Sequence, residues 1–226
     1  NEGDSARLRD ILGQAGCRMV EDPGDADEVI LTTCVVIVKT ERKMIRLIRD
    51  LTGAGTSVLV TGCLPLARGE ILDAFPSVRI LLPEEIHAAS GPGTGITVPV
   101  AIVQAGQGCL GSCRYCITRV ARGRIRSTPR AEICDRIRMA AAQGAAEIRL
   151  TGQDLSAYGS DLGDPSLPSL LEDINQMEGD FLVRLGMMNP ATLAPVIHGV
   201  ARALTGDHLF RFVHLPVQSG SDAILS

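Results

Sequence analysis

Over residues 1–90 the apolar positions switch between helical spacing and short continuous runs, a rhythm that predicts helices alternating with buried parallel strands. Asp4 or Ser5 is the predicted cap of a helix carrying Leu8, Ile11 and Leu12. Val29-Ile30-Leu31 predicts a strand ending at Cys34, and Val58-Leu59-Val60 a second one ending at Cys63. Between them, Thr40 to Leu51 predicts a helix with Met44, Ile45, Ile48 and Leu51 on one face. Lys39, Arg42, Lys43, Arg46 and Arg49 fall on its other face, which reads as plain solvated surface. The fold class expected for this half is α/β, a flavodoxin-like open parallel sheet whose first strand is missing from the chain.

Gly91-Pro92-Gly93-Thr94-Gly95 predicts a linker, set at residues 91–96, ahead of a second domain over residues 97–226. In that domain strands are predicted at Val98–Val103, Glu147–Leu150, Phe181–Leu185 and Leu209–Val213. Helices are predicted at Pro129–Ala142, Leu167–Met177 and Ala191–Leu204. Four βα-type repeats do not close a barrel, so an incomplete (βα) barrel is expected.

Composition narrows the class. An apolar fraction of 45% supports a sizeable core and argues against disorder. No apolar run reaches the roughly 18 residues of a membrane span, and no signal peptide opens the chain. Seven cysteines without an export signal predict a reducing, cytoplasmic setting and metal or redox chemistry rather than disulfides. A net charge of −4 argues against a broad nucleic-acid surface while leaving room for local basic patches.

The chemistry concentrates at Cys109-x-x-x-Cys113-x-x-Cys116, in a loop with Gly106, Gly108 and Gly111 and with Tyr115 just before the last cysteine. A four-iron cubane can take three such thiolates and leave one iron open to a substrate or cofactor. Zinc is the alternative, but a closed zinc site needs four ligands, and the next cysteine, Cys134, lies inside a predicted helix. Cys34 and Cys63 form a second set. Each follows a predicted parallel strand, and ligands of open α/β sheets gather at the carboxyl ends of strands. Two buried cysteines would explain the same pattern. Cys17 and Cys134 are expected to be core packing. His87, His198, His208 and His214 show no metal spacing.

The triple-cysteine pattern resembles the signature of the radical S-adenosylmethionine (SAM) enzymes. The wider chain resembles one branch of them, the methylthiotransferases, through QGCLGSCRYCITRVARGRIRS, TTCVVIVKTERK, TGCLP and HLPVQSGSD. TGQDLSAYGSDLG and VRLGMMNP are most similar to the archaeal and eukaryotic threonylcarbamoyladenosine tRNA methylthiotransferases. The resemblance implies an N-terminal α/β domain, a radical SAM barrel and a C-terminal RNA-binding TRAM domain. It implies that the chain stops before the last barrel strands and TRAM. It also implies two 4Fe-4S clusters, with Cys109, Cys113 and Cys116 on one and Cys34 and Cys63 on an auxiliary one. The auxiliary cluster's third cysteine would precede the Asn1-Glu2-Gly3-Asp4-Ser5 segment and is absent from this chain.

The activity implied is transfer of a methylthio group to C2 of threonylcarbamoyladenosine beside the tRNA anticodon. Isopentenyladenosine or a ribosomal-protein side chain is an alternative substrate, and an iron–sulfur electron carrier or sensor is an alternative of another class. The implied partners are the tRNA anticodon loop, SAM and a reducing electron donor, with no membrane. An unactivated aromatic C–H has no acidic proton, so a cofactor radical must open it. Cofactor contacts are expected at Gly152, Gln153 and Asp154, where the family has a segment near the methionine amino group; Asp154 could equally cap a helix. Gln218 and Ser219, after the last predicted strand, could meet the ribose or methionine. Arg119, Arg122, Arg124, Arg126 and Arg130 form a basic run that could bind tRNA phosphates or the cofactor carboxylate, with Arg122 foremost.

Overall fold

The computed structural model describes residues 2–88, 95–97, 99–163 and 167–225. It divides into two compact units, Asn1–Gly91 with Tyr115–Arg122, and Pro92–Arg114 with Gly123–Ser226.

In the first unit, helix α1 (Glu2–Gln14) is followed by β1 (Val29–Thr33), α2 (Val38–Gly53), β2 (Val58–Gly62), α3 (Leu64–Ala67), β3 (Arg79–Ile80) and α4 (Pro83–Ala88). The three strands form a parallel sheet in the order β1-β2-β3. The α2 face is as its periodicity requires. Ile48 is buried, Met44 and Ile45 are half-buried, and Lys39, Arg42, Lys43, Arg46 and Arg49 are exposed. Helix α1 starts at Glu2, so Asp4 lies in its first turn rather than at its cap. The segment Tyr115–Arg122 contains α5 (Ile117–Arg122), whose Ala121 packs with Val35, Ile48, Cys63 and Leu64 in this unit's core. The sequence had suggested that this stretch belongs wholly to the second domain. A groove of about 630 Å³, lined by Leu8, Leu12, Met19, Val29 and Ile30 among others, runs along α1 and β1.

The second unit is built on a four-stranded sheet, β4 (Gly95–Thr97), β5 (Val100–Gln104), β8 (Glu147–Thr151) and β9 (Leu182–Leu185), in that order. β4 is antiparallel to β5, and the other pairs are parallel. A short antiparallel pair, β6 (Gly106–Gln107) and β7 (Arg126–Ser127), carries the chain out of and back to this sheet. Helices α6 (Arg130–Ala142) and α7 (Leu167–Asn175) bury Ile133, Ile137, Leu170, Leu171 and Ile174 against Ile148, Leu150 and Val183. The alternation of buried and half-exposed positions along β8 places Ile148 and Leu150 in that core.

Three expectations are corrected. The predicted helix over 191–204 is broken into α8 (Pro190–Leu193), a 3-10 turn at Ala194–Val196 and α9 (Ile197–Ala203). Ala194 keeps helical dihedrals, φ −49° and ψ −46°, but Pro195 supplies no N–H for the helical ladder, and the backbone leaves the helical region at Val196, φ −111° and ψ 2°. The predicted strand over 209–213 is reduced to two isolated parallel bridges, Val183 to Leu209 and Met187 to His214. The chain folds back within it, because Phe212 N–H donates to Phe210 C=O at 2.7 Å. The linker ends early, since Gly95 and Ile96 are already in β4; its residues 91–94 lie outside the described residues. Helix α10 (Asp222–Leu225) ends the described chain. Among the described residues, no helix is long and apolar enough to cross a membrane.

Candidate functional site

None of the seven cysteines is in a disulfide. Cys134 is buried in α6, and burial, aided by Asp173, pushes its thiol up. Cys17 is exposed and lines the groove beside α1, so it is not core packing.

In the second unit the cysteine loop is built from its glycines. Gly108 has φ +86°, and a Cβ there would lie 2.1 Å from the Arg124 carbonyl oxygen. Only glycine allows the outgoing and returning backbone to approach so closely. The approach is tied by Cys109 N–H donating to Gly123 C=O at 3.2 Å. Gly111 then turns the chain between two sulfurs. A Cβ at Gly111 would meet Cys109 Sγ at 3.2 Å and Cys113 Sγ at 3.8 Å. Gly111 N–H donates to Cys109 Sγ at 3.1 Å, the kind of backbone contact that favours a thiolate. Cys116 is half-buried, directly ahead of α5, and belongs to the first unit.

The Gly152-Gln153-Asp154 segment follows β8 and is turned onto this loop. Gln153 Oε1 accepts from Gly108 N–H at 2.6 Å. Asp154 is buried and has no helix-cap bond, which removes the capping alternative. Its Oδ1 accepts from Ser156 Oγ at 2.6 Å and from Asn189 N–H at 3.1 Å. Its Oδ2 accepts from Thr192 Oγ1 at 2.8 Å and lies 3.7 Å from the Cys109 thiol. A carboxylate has about four acceptor positions, so this one is engaged by its own chain. Asp154 therefore braces the cysteine loop against α8 in place of the open acceptor expected for a cofactor ammonium. The crevice that Gly152, Gln153 and Asp154 line with Gly106 and Gly108 has room for about one water.

Gln218 and Ser219 lie beyond the last bridge. Gln218 is exposed with φ 65°, a backbone state that costs a non-glycine residue about 1–2 kcal/mol. Ser219 N–H donates to Val217 C=O at 2.8 Å, and Ser219 Oγ accepts from Ser221 N–H at 3.1 Å. Of the basic run, Arg119, Arg124, Arg126 and Arg130 are exposed, and Arg130 pairs with Asp173 at 3.2 Å.

Arg122 is different. It is 3% exposed and pairs at 2.5 Å with Asp4 of α1, itself 1% exposed. Burial alone would lower its affinity for the proton, but Asp4 and Cys63 together hold it above its ordinary value. It is thus closed off from an outside anion, which corrects its assignment to the cofactor carboxylate or to tRNA.

Cys34 and Cys63 follow directly on the paired ends of β1 and β2, where Thr33 is in register with Gly62. Cys63 N–H donates to Thr33 C=O at 3.1 Å. The buried Thr33 hydroxyl donates to Thr61 C=O at 2.5 Å and accepts from Leu64 N–H at 3.1 Å, clamping the turn that holds Cys63. Cys63 is buried and Cys34 half-buried. Thr33, Ser156, Asn189 and Thr192 were not singled out from the sequence, and Asp4 was read only as a helix cap. The Asn189-Pro190 pair was the one available signal, an N-cap followed by proline at the first helical position.

Among the described residues, no three His, Cys, Asp or Glu side chains gather to hold a single metal ion. A four-iron cluster takes its thiolates on separate irons, so they need not converge on one point. The donors fit such a group: sulfur ligands, with a backbone N–H on the Cys109 sulfur.

Residues 1–83 match the Uncharacterized protein family UPF0004. Over its whole length the chain is 35% identical to a probable threonylcarbamoyladenosine tRNA methylthiotransferase of Archaeoglobus fulgidus, covering 58% of that relative. Over its whole length the chain is therefore similar to curated tRNA methylthiotransferases. It spans less than two thirds of the curated relatives it matches. It is also 32% identical, again over its whole length, to the tRNA-2-methylthio-N(6)-dimethylallyladenosine synthase of Desulfosudis oleivorans, covering 55% of it. Among solved structures, TsrM from Kitasatospora setae, a radical SAM methyltransferase with tryptophan and a SAM analogue bound, aligns with a TM-score of 0.58. That alignment covers 88% of this chain and 49% of TsrM at 15% identity, which supports the fold.

Proposed function

We propose that the chain carries the cluster- and cofactor-binding parts of a radical SAM methylthiotransferase acting on threonylcarbamoyladenosine in tRNA, at C2 of the base next to the anticodon. The finer architecture belongs to the same reading: a flavodoxin-like first domain over 1–90 and an incomplete (βα) barrel over 97–226. The observation that carries it is the placement of the Cys109 and Cys113 sulfurs on either side of Gly111, beyond the carboxyl ends of parallel strands β5 and β8. Whole-length similarity to the Archaeoglobus relative supports the choice of substrate.

Cys109, Cys113 and Cys116 would hold one 4Fe-4S cluster, and Cys34 and Cys63 would contribute to a second. SAM bound at the first, with an electron from an outside donor, supplies a radical able to attack an aromatic C–H bond. The chain's own part is positional. Gly108 and Gly111 let the backbone wrap the sulfurs closely. Gln153 fixes the entry of the loop through Gly108 N–H, and Asp154 fixes its far side through α8. Gly152 closes on Leu155 and the Gly106 carbonyl, where a Cβ would meet them at 3.3 and 3.6 Å. Gln218 and Ser219 remain candidates for the ribose or methionine. Exposed Arg119, Arg124 and Arg126 supply positive charge for tRNA phosphates. The setting proposed is the cytoplasm, with no membrane partner.

A second reading, an isopentenyladenosine substrate, is favoured by the similarity to the Desulfosudis relative. Nucleoside mass spectrometry of tRNA from cells lacking the gene separates the two. Loss of the methylthio form of threonylcarbamoyladenosine supports the proposal; loss of the methylthio isopentenyl form supports the second reading and overturns the first.

A further inference from the structure

Helix α2 of the first unit carries five cations on one face. At about 100° per residue, Lys39, Arg42, Lys43, Arg46 and Arg49 fall within an arc of about 120° and extend over about 15 Å of the helix axis. All five are exposed. Among the described residues, none of them makes an ion pair or a side-chain hydrogen bond. Other arginines of the chain do pair: Arg79 with Glu28, Arg130 with Asp173, Arg136 with Glu132 and Arg138 with Asp135. Asp50, at the far end of the stripe, is the one α2 carboxylate in that arc, and it pairs with none of the five. The sequence alone reads this face as plain surface; its lack of partners is what the structure adds.

Like charges three or four residues apart on a helix repel. Lys39 and Lys43, Arg42 and Arg46, and Arg46 and Arg49 are such pairs, so the stripe costs the fold stability. A polyanion laid along it removes that cost. Steps of three or four residues are about 4.5–6 Å along the axis, close to the distance between successive phosphates of one nucleic-acid strand. The apolar side of α2 is already in use, with Ile48 buried and Met44 and Ile45 half-buried. A helix lying on a bilayer needs that side free, which argues against a membrane. Val36, Ile37 and Val38 are the apolar exception, 57%, 62% and 62% exposed, and they lie between Cys34 and the stripe. The unpaired bases of an RNA loop, turned out of their stack, offer flat faces to such a surface.

We propose that this face of α2 is a docking surface for the phosphate backbone of tRNA, with Lys39, Arg42, Lys43, Arg46 and Arg49 as its contacts. The inference rests on the reading of the chain as part of a tRNA-modifying enzyme, and the experiment keeps the two claims apart. The full gene product is titrated with tRNA carrying the threonylcarbamoyl group over a series of salt concentrations, and binding is read by fluorescence anisotropy. Each phosphate contact adds about 0.7–0.9 to the slope of log affinity against log salt. The triple variant R42Q/K43Q/R46Q should show a slope shallower by about 2 and an affinity at least about tenfold lower at about 0.1 M salt. R18Q/R68Q/R202Q makes the same change of charge at exposed positions on other elements and should keep the parent's slope.

If the parent binds no tRNA, the tRNA reading fails and the proposal fails with it. If the parent binds and the two triple variants behave alike, the proposal alone is overturned. Circular dichroism checks that the α2 variant is folded. Should it not fold, R46Q alone decides: a slope shallower by about 1 supports the proposal, and an unchanged slope overturns it. Polyglutamate and vesicles of phosphatidylserine with phosphatidylcholine are titrated in parallel. Binding of either one that the α2 variant alone abolishes, with tRNA binding kept at the parent's slope, overturns the proposal in favour of that occupant.

Discussion

Asp154 and Cys109 are 45 residues apart in sequence, yet the carboxylate Oδ2 stands 3.7 Å from the thiol sulfur. Between them they join the end of β8 to the cysteine loop, and through Thr192 and Asn189 they join both to α8. Asp154→Asn keeps the shape and removes the charge. Hydrogen bonds to charged groups contribute roughly 1.5–3 kcal/mol each, so the variant should lose stability of that order. Urea unfolding of the apoprotein measures it, and the iron retained after desalting should fall in parallel. A loss below about 0.5 kcal/mol, the usual range of surface changes, would contradict the bracing role.

Gly108 and Gly111 should fail differently when changed to alanine. At Gly108 the added Cβ meets backbone at 2.1 Å and the φ of +86° is strained for alanine, so the fold itself should suffer. A cost of at least about 1–3 kcal/mol is expected in thermal unfolding. At Gly111 the new Cβ meets Asn189 Nδ2 and the two sulfurs at 3.0, 3.2 and 3.8 Å. That variant should fold with nearly the parent's melting temperature and load less iron. Equal iron loading in Gly111→Ala and parent would count against a cluster at this loop.

Asp161 offers a test by pH. It accepts from Ser127 N–H at 2.8 Å, on β7. Burial would raise its carboxyl, but the side-chain and backbone bonds with Ser127 outweigh burial and hold it below the ordinary 3.8. A lowered folded value means that the native state favours the ionised form. The stabilisation is therefore full above 3.8, the unfolded value, and fades as pH falls through the lower folded one. Asp161→Asn should be less stable than the parent at pH 7, with the difference shrinking below that window. A difference that persists unchanged in acid would show that the carboxylate charge plays no part.

The two cysteine groups should separate by chemistry. Replacing Cys109, Cys113 or Cys116 by Ala in the full gene product should abolish reductive cleavage of SAM. Replacing Cys34 and Cys63 should remove about half of the iron, one of two cubanes, while sparing cleavage. Iron analysis and quantification of deoxyadenosine read the two effects. Cleavage that survives the loss of all three loop cysteines would refute the first assignment.

Much of this was legible in the chain. Val29–Leu31 and Val58–Val60 are apolar runs too short for helices, and they form β1 and β2 with Cys34 and Cys63 just beyond their ends. The α2 face followed from its spacing alone. The two-residue strands β3, β6 and β7 could not be seen, because two residues carry no period and their pairing is decided by distant partners. Pro195 was a readable break signal inside an otherwise continuous helical pattern. Arg122 was misassigned for a physical reason: a run of arginines reads as one surface, and sequence gives no sign that Asp4, from the opposite end of the first unit's chain, withdraws one of them into the core. Asp154 was singled out from the sequence, but its partners Thr192 and Asn189 lie in α8 and the residue before it, beyond any local pattern.

The central proposal is that this chain is part of an enzyme that modifies threonylcarbamoyladenosine. Anaerobic turnover of the reconstituted full gene product on three tRNAs tests it directly: one carrying the threonylcarbamoyl group, one carrying the isopentenyl group and one unmodified at that base. The account predicts a methylthio nucleoside, detected by mass spectrometry, from the threonylcarbamoyl tRNA in clear preference to the other two. Preference for the isopentenyl tRNA, or no methylthio product from any of the three by an enzyme that still cleaves SAM, would contradict it.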